Sequence, residues 1–211
     1  MVASLARPEL LNIVDESTRE PFFGGIQDWY STEWRRKAGC GPTCAANLMA
    51  YLALTRPELR PLYNQADMHR ASFARHMEEI YRFVTPGPMG LNKVEMFYNG
   101  VSAFAHSRGI SLRPHVFRVS SNRLWGREDP IALADFVKAG LASDCPIAFL
   151  NLSQGKEKNL QGWHWITITK AIQESDRLLT EASDEGFLRR FDLRLWYLTT
   201  RMSGGLIYFT V

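Results

Sequence analysis

The stretch KAGCGPTCAANLMAYL, residues 37–52, decides how the chain is read. Cys40, Cys44, Leu48, Tyr51 and Leu52 recur at helical spacing, and Ala45, Ala46 and Ala50 keep the remaining faces slim. That pattern predicts a helix that starts at Cys40, is buried against a sheet, and ends between Thr55 and Pro61. Gly39 and Gly41 flank the first cysteine, and Pro42 fits a first helical turn because it has no N–H to lose there. A thiol at a helix start meets free backbone N–H groups, which favour its anionic, nucleophilic form. A small buried residue beside a turn explains the same cysteine equally well. Cys44 continues the apolar stripe and is expected in the core, as is Cys145 before Pro146 at a strand start.

Outward from this helix the chain divides by pattern. Residues 1–36 read as an irregular arm broken by Pro21 and the Gly24-Gly25 pair. A second helix is expected over 65–84. A third runs from Asn92, as N-cap with Glu95 completing a capping box, to about His106, with Gly109 closing it. Residues 111–120 read as a strand that Pro114 places at an edge. Asp129-Pro130 opens a helix through Leu141. Strands follow at 146–152 and 163–172, then a hairpin of 178–183 and 187–193 around Asp184-Glu185-Gly186, and a last strand from Leu206. Helices over 37–141 and antiparallel strands over 142–211 make the fold class α+β, in a single domain spanning 1–211.

Composition narrows the function. The 211 residues are 45% hydrophobic and 22% charged, as in globular domains, with a net charge of +3. Neither nucleic acid nor a membrane surface is implied as a partner. No apolar run reaches the roughly 20 residues of a membrane span. Three cysteines, an odd count, do not suggest a disulfide framework, so a cytoplasmic, reducing location is expected.

A nucleophilic cysteine needs a base. Of five histidines, His69 and His76 lie seven apart on one predicted helix and read as structural or surface groups. His106 sits near a helix end, and His115 is in mid-strand. His164 begins a strand directly after the polar loop 153–162, a position that can face a helix N-terminus. Trp163 and Trp165 flank it and point to the opposite side. Asp184, 20 residues on, ends the next strand and returns near the start of the first if the two pair; alone, "SDEG" is equally an ordinary turn. Glu185 is a weaker alternative partner. A zinc site built on Cys40 and Cys44 lacks a second cysteine pair. The basic run at 34–37, WRRK, is a short solvated turn or a source of positive charge near Cys40 that favours acidic substrates.

Taken together, GCGPTCAANLMAYL, CPIAFLNL, GWHWITITKA and ASDEG resemble the papain-like cysteine peptidase superfamily, most of all its bacterial branch containing the double-glycine leader peptidases. The resemblance covers about 36–52 and 130–211. It implies a papain-like fold, with the cysteine-bearing helix packed on the antiparallel sheet. It also implies a Cys40–His164–Asp184 triad acting on a peptide or amide, with no metal or organic cofactor. Acyl transfer to an acceptor other than water uses the same residues, and a binding domain that does not cut is the rival reading. The family keeps an oxyanion-hole glutamine six residues before its cysteine, where this chain has Trp34. Gln27 is the nearest upstream substitute. Gly39, Gly41, Trp34, Trp163 and Trp165 are the expected rim of the substrate cleft.

Overall fold

A computed structural model describes residues 2–121 and 129–211. The apolar stripe after Gly39 becomes α2 (Cys40–Thr55), buried over nearly its whole length. A helix apolar all round must be enclosed, and α2 packs on the sheet, against α3 (Arg70–Tyr81) and with α4 (Val94–Ser107) beside it on the same face. A 3-10 turn at Pro57–Leu62 follows it.

The sheet has seven antiparallel strands. β4 (Arg113–Val119), β9 (Gly204–Thr210), β5 (Ile147–Asn151), β6 (His164–Glu174), β7 (Arg177–Asp184) and β8 (Phe187–Asp192) lie side by side in that order. β6 is the longest and the hub. β5 pairs with its first half, from Asn151 opposite His164 to Ile147 opposite Ile168. β1 (Val2–Ser4) takes over beside residues 170–172. Alternation along the strands gives each face its own cover. Leu150, Trp165 and Gly205 turn toward α2 and α4, while Ile147, Phe149 and Gly204 meet α5 (Pro130–Ala142) and α6 (Leu193–Thr199).

One irregularity matters for the site. β6 and β7 pair as Thr167 with Ser183 and Ile168 with Ala182, but then as Lys170 with Glu181, so Thr169 is an extra residue on β6. Continuing the register of the first two pairs sets Asp184 opposite Ile166, two residues from His164 and on the same face.

Several expectations change. The arm is not irregular throughout: β1 joins the main sheet, and β2 (Asn12–Val14) pairs with β3 (Pro21–Phe23) as a ribbon. These strands are three residues each, too short to show alternation. Helical structure begins before Cys40, as α1 (Glu33–Ala38), capped by the Thr32 hydroxyl. α3 is shorter than 65–84. Asn92 does not cap α4; Lys93 holds that position without a side-chain bond, and Glu95 pairs with Arg118 of β4 instead. Residues 193–199 form α6, capped by Asp192, whose carboxylate accepts the N–H groups of Arg194 and Leu195. Among the described residues, no helix is long and apolar enough to cross a membrane.

Candidate active site

Cys40 opens α2 one residue after α1 ends. The chain turns between them at Gly39, where a β-carbon would stand 2.4 Å from the Arg35 carbonyl oxygen and 2.5 Å from the Tyr30 ring. At Gly41 it would stand 2.6 Å from Leu91. Both glycines are therefore packing requirements that let the cysteine segment sit tightly between neighbours. They are buried behind Cys40 and do not rim the cleft, which corrects the expectation from sequence. Cys40 itself is partly exposed. Cys44, one turn deeper, is buried and donates to the Ile166 carbonyl at 3.3 Å; burial pushes its thiol up to about 12. Cys145 is buried beside Arg56. All three thiols are free.

His164 is the first residue of β6, so its ring lies at the end of the sheet. Its Nε2 bonds Asp184 Oδ1 at 2.8 Å, and Cys40 lines the same small pocket as Asp184 and Glu185. Burial alone would favour neutral imidazole, yet the bonds to Asp184 and Cys40 outweigh it and raise the ring's pKa to about 10. Burial penalises the Asp184 carboxylate too, but His164 and Arg189 more than compensate and hold its pKa below the usual value. Arg189 reaches Asp184 Oδ2 from β8 and also donates to the Asn159 carbonyl at 3.3 Å. Arg189 carries no local signal; its place beside Asp184 across the hairpin, with Ala182 facing Arg189, is visible only once the register is known.

Glu185 adjoins the pair. Its Oε1 is 3.8 Å from His164 Nε2, and its Oε2 accepts the Gln27 N–H at 3.2 Å. Burial lifts its pKa to about 6. Its backbone is left-handed, φ 49°, in a turn completed by Gly186 at φ 80°. Gln27 is thus tied to Glu185 through its backbone, and its side-chain Oε1 is buried without a partner. His164, Asp184 and Glu185 offer ligand atoms within 4.8 Å of one another, enough to consider a cation. The Arg189 guanidinium on Asp184 opposes one there.

A polar network beneath the site was missed from sequence. Asn47, on α2, accepts the Gly25 N–H at 2.9 Å and donates to the Thr167 and Ser183 hydroxyls. Ser183 donates onward to the Phe23 carbonyl. Gly24, at φ 82°, has no room for a β-carbon, which would stand 2.1 Å from Ser183 Oγ. The glycine pair is thus a fitted joint that delivers Gln27, three residues on from Gly24, to the site. Only the buried position of Asn47 on an apolar helix could have signalled this.

A cavity of about 250 Å³ opens beside Cys40, walled by Trp34, Ala38, Met89, Leu150, Leu152 and Trp163. Trp34 stands on α1, half exposed, and contributes an apolar wall where the resembled family would have a carboxamide. Trp163 has φ 61° and donates from its indole to the Met89 carbonyl at 3.1 Å. Trp165 borders the same cavity but is nearly all core, stacked on Phe97 at 4.4 Å with its N–H on the Leu91 carbonyl. Both indoles therefore pin the 85–91 loop across the cleft.

The remaining histidines stay away from this cleft. His76 is structural: it is fully buried, its Nε2 3.2 Å from the Ala46 carbonyl, and burial drops its pKa to about 3. His115 stacks on Tyr208. In the basic run, Arg35 is paired with Glu78, Arg36 holds the Tyr30 and Ser31 carbonyls, and Lys37 pairs with Glu33. These contacts use the run's charge internally, leaving little for a ligand.

No protein-family profile matches the sequence, and no curated protein matches it. Among solved structures, a crystal structure of UfSP from C. elegans superposes with a TM-score of 0.52 at 7% identity, over 100% of this chain and 34% of that one. The chain thus spans about a third of the length of that protein. A structure of the Pseudomonas avirulence protein AvrPphB matches more loosely, with a TM-score of 0.37 at 15% identity, over 80% of this chain and 91% of that one. At 7% identity the likeness to the UfSP structure speaks to the fold alone: a mixed helix and antiparallel-sheet, papain-like arrangement.

Proposed function

We propose that the protein is a cysteine peptidase or related amide hydrolase, with Cys40 as nucleophile, His164 as acid and base, and Asp184 as the group that orients the histidine. The observation that carries this is the His164–Asp184 bond at 2.8 Å beside a small pocket that Cys40 and Asp184 line together. With Nε2 engaged by Asp184, Nδ1 is the nitrogen left for the thiol. The Cys40 sulfur, its proton on His164, attacks the carbonyl carbon; the C–N bond breaks as His164 returns that proton to the leaving amine. Water then loses a proton to His164, attacks the thioester and releases the acid. The chemistry uses side chains and water throughout. The apolar cavity beside Cys40 suits a side chain of the bound substrate.

The second oxyanion donor is assigned to Gln27, beside the Cys40 N–H. Its support is the tether to Glu185 and the neighbourhood of His164. Within papain-like proteins, the Cys-Gly-Pro-Thr and Trp-His stretches support a place near the double-glycine leader peptidases, which a panel of peptides with and without a Gly-Gly pair would test. Three unpaired thiols support residence in a reducing, cytoplasmic compartment.

The decisive experiment is iodoacetamide labelling at pH 6 with peptide mapping. Cys40 is expected to label much faster than free cysteine, and His164→Ala to abolish the excess. Labelling at the rate of free cysteine, unchanged by His164→Ala, overturns the reading.

A further inference from the structure

Beyond Leu152 the cleft does not end. Leu152 also borders a second, larger cavity of about 790 Å³, formed by the 153–162 loop and the segment after α6. Its wall carries Lys156 and Arg201, with Gln154 between cation and apolar groups, and exposed Leu198 and Met202. No aspartate or glutamate lines it. Neither Lys156 nor Arg201 has an ion-pair partner among the described residues, in contrast to Arg35 and Lys37, paired with Glu78 and Glu33.

The basin is built rather than left over. Gly155, at φ 61°, lies so close to Thr199 that a β-carbon would stand 2.4 Å from its hydroxyl. That hydroxyl accepts the Lys156 N–H at 2.9 Å. The Ser153 carbonyl accepts from the Trp196 indole and the Thr200 hydroxyl. Asn151 holds the far end of the loop through the Gln161 carbonyl. Lys156 and Arg201, both exposed, thereby stand on a firm backbone frame next to the cleft. Gathering like charges without a counter-ion is unfavourable unless an anion joins them.

We propose that this basin is a substrate subsite for an extended polypeptide segment carrying carboxylate side chains, with Lys156 and Arg201 as its specificity-determining residues. The proposal rests on the reading of Cys40 as the nucleophile, since it treats basin and cleft as one groove. Continuity through Leu152 and the uncompensated charge select an acidic peptide.

Protection of Cys40 from iodoacetamide tests this at pH 9, where an accessible thiol alkylates whether or not His164 activates it. The protectants are twelve-residue peptides of one apolar pattern, with either glutamate or lysine at the polar positions. Glutamate peptides are expected to protect at concentrations at least tenfold lower than lysine peptides. The preference should shrink with added salt. It should vanish or invert in Lys156→Glu/Arg201→Glu, protection being read against that variant's own labelling rate without peptide. Equal protection by both peptides, or a preference that survives the double charge reversal, overturns the proposal. So does protection by a single-stranded oligonucleotide where the acidic peptide gives none. Failure of pH 6 labelling would sink the nucleophile reading separately.

Discussion

His164 is where chemistry and stability meet. Its folded pKa, about 10, lies above the ordinary value of 6.5, so its charged form is stabilised by folding. That contribution is complete below about pH 6.5 and is lost as pH rises through about 10. Asp184 works in the opposite sense: its lowered pKa contributes stability above about pH 3.8, lost as pH falls through the folded value. Thermal melts of wild type and His164→Gln should therefore differ most near pH 6 and converge toward pH 10. A gap independent of pH would mean the pair adds no ionic stabilisation. Gln27→Ala should lower kcat on a peptide substrate by about 10²–10³-fold while leaving Cys40 labelling by iodoacetamide unchanged, because that reagent needs no oxyanion hole. The meeting of His164 with Asp184 could be anticipated from residue order and the family resemblance. Arg189 and the contact from Glu185 to Gln27 could not, since each depends on which residues a register and a loop bring together.

At the scale of elements, the arm, α2 and the β6–β7 pair are fastened by one side chain, Asn47. Replacing it with alanine strands the Gly25 N–H and removes a partner from two buried hydroxyls. A buried group left unsatisfied costs about 1–3 kcal/mol, so urea unfolding of Asn47→Ala should show a loss of about 2 kcal/mol or more. Gly24→Ala combines a left-handed backbone with an impossible contact and should cost more than about 1 kcal/mol; an unchanged urea midpoint would contradict the joint. The long buried helix and the hydrophobic strands were legible because long apolar runs bounded by turn residues stand out whatever they pack against. β1, β2 and β3 were not, because strands of three residues take their conformation from their partners. α4 shows why its cap was misread: Glu95 gains an ion pair with Arg118, a partner from a distant strand that no local motif reveals.

Across the whole molecule, the sheet is assembled out of chain order. β9, last in sequence, sits between β4 and β5, and β1, first in sequence, completes the long edge of β6. Pairings of such wide separation slow folding, and refolding from urea should take milliseconds to seconds rather than microseconds, measurable by stopped-flow tryptophan fluorescence. The α+β class followed from the order of elements in the sequence; the order of strands did not, because nothing local specifies which distant strands meet. The extra residue Thr169 then acquires a meaning of its own. It works as a phase shifter: with a plain ladder continued from Lys170 and Glu181, Asp184 would fall opposite Thr167 and project from the other face than His164. The stretch 165–183 therefore contains two lengths of chain with unequal tolerance for miscounting. Residues added at the hairpin tip, 175–176, only lengthen a turn, whereas excising Thr169 sends the histidine and its carboxylate to opposite sides of the same sheet.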